Sequence, residues 1–365
     1  MPPSTDVIAE VSQRLDTFSA ARRAEAEPAG PEAEALVAIA AAAVTGGKLL
    51  RARFCVAGWR AVAEADGARR DEIAPEAIGA AAALEVFHAA ALVHDDLIDN
   101  SDTRRGHPAA HRVLEAAHRD AGWFGDAAAH GRAAGILLGD LLVAWSDDLF
   151  EESLADAIPS AARTARAEYA RMRRDVTIGQ YLDIAEESAW TTAPDAQHAE
   201  RALRVASLKS ARYSVQQPLL IGATLAGADA AQRRALIDFG HPIGMAFQLR
   251  DDVLGVFGDT ALTGKPSGDD LREGKRTVLV AYTRDALGPG PRRVFDELLG
   301  DPALEPAQIE SLQATITDSG ARERVEALIA EYTRDADRAL AGAPLGHAAV
   351  SELRDLARAA ASRDS

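Results

Sequence analysis

The 365-residue sequence contains little cysteine, little lysine and few aromatic residues. Its single cysteine, Cys55, excludes an internal disulfide and a cysteine-based zinc site, so the sequence predicts a reducing compartment, the cytoplasm. Only four of the 40 basic residues are lysines, which leaves 36 arginines. The 56 acidic residues give a net charge of −16, which argues against a general nucleic-acid-binding protein because such proteins concentrate positive charge.

Long uncharged apolar runs are also missing. The longest candidate, residues 77–93, contains Glu85 and His88 and falls short of the roughly 18 apolar residues that a membrane span needs. The N-terminus is polar and acidic, unlike a secretion signal. We therefore expect no membrane span and a buried helix over residues 77–93.

The sequence does contain a 3.6-residue apolar period in almost every segment, without the alternation typical of strands. It predicts an all-α protein, and no linker divides residues 1–365, so one domain is the simplest expectation. Long helices are expected over residues 48–66, 77–99, 131–152, 160–187, 195–225 and 230–256, with shorter ones after residue 274. Two polar segments, residues 100–111 and 258–275, interrupt this pattern.

An acidic cluster ends the helix predicted over residues 77–99. Asp95 and Asp99 lie about 40° apart on one helix face, with Asp96 nearby. Converging carboxylates repel one another unless a hard cation neutralises them, and oxygen ligands without sulfur favour Mg²⁺. A solvated acidic helix end is the alternative, but acids are unfavourable at helix C-termini. The cluster therefore predicts a magnesium site.

A second acidic cluster, Asp251 and Asp252, ends the helix predicted over residues 230–256, and Asp259 follows it. Alone it is a weak signal. Together, two such helix ends predict two carboxylate walls that face each other across a cavity and clamp a metal-bound diphosphate.

Basic residues accompany both clusters. Arg104 and Arg105 follow the first cluster directly, and arginine forks match phosphate oxygens. Lys48 and Arg51 lie at a helix start preceded by two glycines, where free N–H groups favour anions, although the spacing is not that of a nucleotide P-loop. Lys48 lies in this glycine-led segment, Lys265 and Lys275 flank the loop after the second cluster, and Lys209 stands in Leu208-Lys209-Ser210. Four lysines kept at such places in an arginine-rich chain indicate positions that need a compact ammonium.

Over about residues 46–277 the ordered motifs resemble those of the trans-isoprenyl diphosphate synthases, or polyprenyl synthetases. The motifs are GGKxxR from Gly46, HDDxxD from His94, RRGxP from Arg104, GQxxD from Gly179, Lys209-Ser210, FQxxDD from Phe247 and Gly264-Lys265. The resemblance implies an all-α isoprenoid synthase-type bundle of helices around a central cavity, usually homodimeric, with three Mg²⁺ ions. It also implies a prenyltransferase that ionises an allylic diphosphate, adds isopentenyl diphosphate and loses a proton.

The resemblance also implies a role for each matching residue. The first-motif metal ligands would be Asp95 and Asp99, the second-motif ligand would be Asp251, and their acidic neighbours Asp96 and Asp252 are further candidates. The allylic diphosphate would be held by Arg104, Lys209 and Lys265, with Gln248 near the developing cation. Isopentenyl diphosphate would be held by Lys48, Arg51, His88 and Arg105. Further substrate-binding candidates are Ser210 and Lys275.

The sequence departs from the family pattern at two positions. The fifth residue of the second motif is Gly255 where the family has aspartate, which leaves the role of Asp259 open. Ser210 stands where threonine is common and keeps the hydroxyl group. We expect metal binding to survive the first change and little effect from the second.

Product length is predicted from the residues upstream of Asp95, where bulky side chains act in this family as the floor of the product tunnel. Ala90 and Ala91 are small, and the bulky Phe87 lies eight residues before Asp95. One helical turn, about 5.4 Å, is comparable with one isoprene unit. The prediction is geranylgeranyl diphosphate, C20; if Phe87 is ordinary core, farnesyl or longer products are the alternative.

Four other functions are alternatives to condensation. A class I terpene cyclase shares the first motif, and Asp251, Gly255 and Asp259 match the spacing of its second one, but a cyclase has no second diphosphate to bind. A non-catalytic subunit of a heteromeric synthase is hinted at by Gly255 alone. Two weaker alternatives are a di-iron bundle, from the i, i+3 spacing of Glu85 with His88 and of Glu115 with His118, and a phosphohydrolase that uses His94 and Asp95.

Overall fold

The computed structural model is helical almost throughout, which confirms the all-α prediction. It describes residues 4–67, 73–104, 106–258 and 267–362. The chain packs as two compact units, one formed by Met1–Thr164 with Ile221–Gly227 and the other by Ala165–Leu220 with Ala228–Ser365. A single domain over the whole length stays a prediction.

The first unit is built around one apolar helix. Its helices are α1 (Ser4–Ala26), α2 (Pro31–Ala43), α3 (Leu50–Ala65), α4 (Pro75–Ile98), α5 (Ala110–Asp120) and α6 (Ala127–Ser153). α4 is the core helix, because α1, α3, α5 and α6 all pack against it. Pro31 and Pro75 lie in first turns, as predicted, where their missing N–H groups cost nothing.

α4 is also the one helix in the described ranges that is long and apolar enough to cross a membrane. However, 78% of its most apolar window is buried inside the protein. This burial is typical of the core helix of a soluble protein, and the predicted absence of a membrane span stays a prediction.

A short hairpin follows α4. Strands β1 (Thr103–Arg104) and β2 (His107–Pro108) pair antiparallel within the segment predicted to be a loop. Two-residue strands are too short to leave an alternating pattern in the sequence, so the prediction missed them. The hairpin turns the chain back directly after Asp99, which brings Arg104 to the end of α4.

The second unit contains most of α7 and all the later helices except the end of α9. The helices are α7 (Pro159–Ala189), α8 (His198–Val205), a π-helical segment (Ala206–Gln216), α9 (Gln217–Leu225), α10 (Ala230–Phe257), α11 (Asp269–Glu273), α12 (Val278–Ala286), α13 (Pro289–Leu298), α14 (Pro306–Asp318), α15 (Ala321–Leu340) and α16 (His347–Ser362). α11 lies in the segment predicted to be non-helical. The apolar core of this unit includes Leu249, Val253, Leu271, Phe295 and Ile316.

Candidate active site

The first aspartate motif and the hairpin meet at the end of α4. Nε of Arg104 donates to Oδ1 of Asp96 at 2.8 Å, and Nη2 lies 3.4 Å from Oδ2 of Asp95. The Asp96 side chain is 5% exposed, whereas that of Asp95 is 24% exposed. Asp95 is therefore the more accessible of the two carboxylates, and Asp96 fixes the Arg104 guanidinium.

Arg104 lies in a strongly negative environment. Burial opposes its charge, but its hydrogen bond to Asp96 and the charges of Asp96, Asp95 and Asp99 outweigh that effect and raise the pKa of Arg104. Asp99 ends α4 one turn beyond Asp95, with its N–H donating to the Asp95 carbonyl at 2.8 Å. The Arg104 guanidinium is thus already held against the carboxylates that the sequence predicts to bind Mg²⁺.

The segment that carries Lys48 has an unusual backbone. Gly46 and Gly47 have φ angles of 79° and 85°, and Leu49 has a φ of 46° just before α3 begins. Leu49 and Asn100 are the non-glycine residues with positive φ among those described, and each adjoins a predicted substrate or metal motif. Such conformations cost free energy and concentrate at functional sites.

Arg51 and His88 lie on two packed helices. Arg51 is in the first turn of α3 and is buried, and His88 is half-buried on α4. Between these positions, the Ala52 N–H donates to Oε1 of the buried Glu85 at 2.8 Å. The sequence suggests Glu85 only as a partner of His88 in an iron site, whereas in the structure its carboxylate binds the N-terminus of α3.

The predicted chain-length residues line up along α4. Phe87 and Ala90 are buried, whereas Ala91 is partly exposed. From Phe87 to Asp95 the helix rises about 12 Å, at about 1.5 Å per residue.

In the second unit, two of the predicted lysines converge on one carboxylate. Nζ of Lys209 lies 2.5 Å from Oδ2 of Asp183, and Nζ of Lys275 lies 3.6 Å from the same oxygen. Lys275 also lies 3.3 Å from Oε1 of Glu187. Carboxylates of α7 therefore bind lysines from two other segments of the chain. The sequence assigns no such role to Asp183 or Glu187.

Lys209 and Ser210 lie in the π-helical segment, next to the closest approach of α7. A Cβ atom on Gly179 would lie 2.6 Å from Cα of Lys209 and closer still to its nitrogen, so a side chain there would push the segment away. π-Helical turns are rare and frequently occur at functional sites. The glycine of the GQxxD motif thus lets Asp183 of the same motif reach Lys209.

The second aspartate motif ends α10. Nε2 of Gln248 donates to Oδ1 of Asp252 at 2.6 Å, which fixes the orientation of the amide. Burial, and then the charge of Asp270, raise the pKa of Asp252 well above its ordinary value, with Asp251 and Asp183 adding smaller contributions. Excess negative charge is therefore gathered around the second motif.

The missing aspartate of the second motif is replaced in space by another residue. A Cβ atom on Gly255 would lie 2.7 Å from Oδ1 of Asp270 and closer still to Oδ2 and Cγ. The Asp270 carboxylate, which comes from α11, therefore occupies the volume that a fifth-position side chain would fill. Gly255 is the sequence signal that the fifth position of the motif is unusual, but the sequence does not indicate that Asp270 fills the space there.

Three predicted residues, Arg105, Asp259 and Lys265, lie outside the described residues. Within the described ranges, no three His, Cys, Asp or Glu side chains form a ready-made metal site. The three carboxylates of the first motif thus do not form such a group, and Asp96 pairs with Arg104. Both acidic groups nevertheless fit Mg²⁺, which takes oxygen ligands, needs only one or two carboxylates and keeps waters or phosphates in its shell.

Comparison with known proteins decides between the functions that this geometry allows. The sequence profile described as polyprenyl synthetase matches residues 33–316. The chain belongs to the polyprenyl synthetase family. It is therefore an enzyme, a trans-prenyl diphosphate synthase, and the family assignment favours condensation over the terpene cyclase, iron-binding and phosphohydrolase alternatives.

Relatives of this polyprenyl synthetase differ in product. The chain is 32% identical to a geranylfarnesyl diphosphate synthase of Aeropyrum pernix, over 78% of this chain and 82% of that protein. It is 31% identical to a (2E,6E)-farnesyl diphosphate synthase of Mycobacterium tuberculosis, over 81% and 75% of the two chains. A geranylgeranyl pyrophosphate synthase of Corynebacterium glutamicum, solved with isoprenyl diphosphate and magnesium, shares 36% identity and a TM-score of 0.90 over 97% of each chain.

Proposed function

We propose that this synthase condenses isopentenyl diphosphate with an allylic diphosphate in a Mg²⁺-dependent reaction, with geranylgeranyl diphosphate as the main product. The observation that carries the proposal is that cations pair with carboxylates in two motifs. Arg104 pairs with Asp95 and Asp96 of the first aspartate motif, and Lys209 and Lys275 pair with Asp183 of the GQxxD motif. Arrays of this kind can bind a diphosphate together with hard cations.

The metal would be held by Asp95 and Asp99 in the first motif and by Asp251 in the second, and three ions per site are proposed from the family resemblance. When bound, Mg²⁺ neutralises the charge that develops on a leaving diphosphate. Asp96 keeps Arg104 charged and oriented, so that the guanidinium can turn to phosphate oxygens.

The remaining residues orient the substrates. Lys209 and Lys275 bring ammonium groups to the allylic diphosphate, and Asp183 keeps them in place while that ligand is absent. Because Nε2 of Gln248 is engaged by Asp252, the amide oxygen is the end that can face a developing allylic cation. Lys48, Arg51 and His88 hold isopentenyl diphosphate.

C20 is proposed because α4 offers small side chains at positions 90 and 91 and the buried Phe87 below them. Incubation with Mg²⁺, isopentenyl diphosphate and farnesyl diphosphate should give mainly C20, and a product that stays at C15 would contradict the proposal. Phe87→Ala should lengthen the product. Val86→Ala, a buried neighbour about 100° round the helix, is the matched control and should leave the length unchanged.

We also propose a cytoplasmic homodimer. Ile136 and Leu137 on α6 are 53% and 62% exposed, and Ile98 at the end of α4 is 41% exposed. The family resemblance implies a homodimer, and a second copy of this chain would cover these exposed apolar side chains. Light scattering after size exclusion should give the mass of two chains, and Leu137→Glu should give the mass of one; a monomeric wild-type protein would contradict the proposal.

A further inference from the structure

The start of α3 carries two of the residues assigned to isopentenyl diphosphate, yet its own sequence provides no cap. The residue that precedes the helix, Leu49, has an apolar side chain and left-handed backbone angles, and no side-chain cap hydrogen bond forms there. The first N–H groups of a helix have no partners within that helix. They must be satisfied from elsewhere when the helix start is buried.

Glu85 meets part of this need from α4. Its Oε1 accepts the N–H of Ala52 at 2.8 Å, and both residues are buried. In the next turn of α3, burial and then the charge of Glu85 raise the pKa of Cys55 to about 12. A negative charge at a helix N-terminus is favourable because it complements the helix dipole.

We propose that Glu85 is a positioning residue for the isopentenyl diphosphate site: by binding the Ala52 N–H, its carboxylate fixes the start of α3 and the segment that presents Lys48 and Arg51. The inference rests on the proposed function, which assigns those two side chains to the substrate. Lys48 lies two residues before the helix, and Arg51 precedes Ala52 directly. A shift of the helix start would therefore move both cations.

The same arrangement includes His88. Glu85 and His88 are three residues apart on α4, so they lie on the same side of that helix. Since Glu85 faces the start of α3, His88 is presented to the same region. The Glu-x-x-His spacing therefore fixes the position of α3 relative to His88 on α4. Glu85 touches no substrate in this account and acts only through α3.

The test separates positioning from general stability. Glu85→Ala and Glu85→Asp both remove the carboxylate from reach of Ala52, and Glu85→Gln keeps an acceptor oxygen in place. We expect the first two to weaken binding of isopentenyl diphosphate at least tenfold, measured by calorimetry with that ligand alone. The KM for farnesyl diphosphate should change less than twofold, and Glu85→Gln should bind within threefold of wild type.

Ser146→Ala is the matched control, because Ser146 makes another buried hydrogen bond to α4, from its hydroxyl to the Ala83 carbonyl at 2.8 Å. It should lower the melting temperature without changing isopentenyl diphosphate binding. If Glu85→Ala fails to fold, Glu85→Asp carries the test. Wild-type affinity in Glu85→Asp, or equal losses for both substrates, would overturn the inference. Unchanged binding in Lys48→Ala would instead overturn the proposed isopentenyl diphosphate site.

Discussion

Restoring the family aspartate in the second motif should damage this enzyme. Gly255→Asp places a Cβ atom 2.7 Å from Oδ1 of Asp270, and real Cβ contacts essentially never fall below 3.0 Å. The Asp270 carboxylate must therefore move. The new carboxylate also adds charge to a region in which burial and Asp270 already raise the pKa of Asp252.

The expected magnitude follows from three contributions. Overpacking costs about 1–3 kcal/mol, and the low end applies here because the atoms that must move are the end of the Asp270 side chain. Two unit charges about 4 Å apart repel by about 4 kcal/mol at an effective dielectric constant of about 20, and partial exposure to solvent reduces this severalfold. Replacing a helical glycine returns up to about 1 kcal/mol. Together these contributions predict a loss of about 1–3 kcal/mol in the free energy of unfolding.

Urea unfolding of the metal-free protein measures this loss, and steady-state turnover should fall at least tenfold. Gly255→Ala isolates the steric part and should cost less. The double variant Gly255→Asp with Asp270→Ala removes the clash and keeps one carboxylate, so it should regain most of the stability. Wild-type stability and turnover in Gly255→Asp would refute the idea that Asp270 occupies the fifth position of the motif.

Three further predictions concern single side chains. Lys209→Arg should lower kcat/KM for the allylic substrate at least tenfold without shifting the unfolding midpoint, because a longer planar guanidinium cannot replace an ammonium 2.5 Å from Asp183. The control is Arg204→Lys at an exposed position, which should leave both quantities unchanged. Asp252→Asn should stabilise the metal-free protein at pH 7, because the raised pKa of Asp252 in the folded state makes the wild type lose stability as the pH rises from about 4. The prediction is contradicted if the difference in melting temperature between the variant and the wild type is the same at pH 4 and at pH 7. Cys55, buried with a pKa of about 12, should resist iodoacetamide in native buffer at pH 7 and react only after unfolding, as mass spectrometry would show; rapid native labelling would mean that α3 opens readily.

The helices and the family could be predicted from sequence because their signals are local. The 3.6-residue period, Pro31 and Pro75 in first turns and the ordered motifs each depend on residues close together in the chain, and the comparisons confirm the family and reaction class. The hairpin at Arg104 was not predicted, because two-residue strands are too short to show periodicity.

The amino-acid sequence specifies the chemical groups of this synthase: two aspartate clusters, an excess of arginine and four lysines placed in or beside the motifs. Which of these groups meet depends on the folded chain. Asp183 gathers Lys209 and Lys275, Asp270 fills the space at Gly255, and Glu85 binds the start of α3. These pairings join residues 15 to 92 positions apart. They depend on how closely helices approach one another and on which buried charges need partners. Neither property can be predicted from the spacing of residues along the chain.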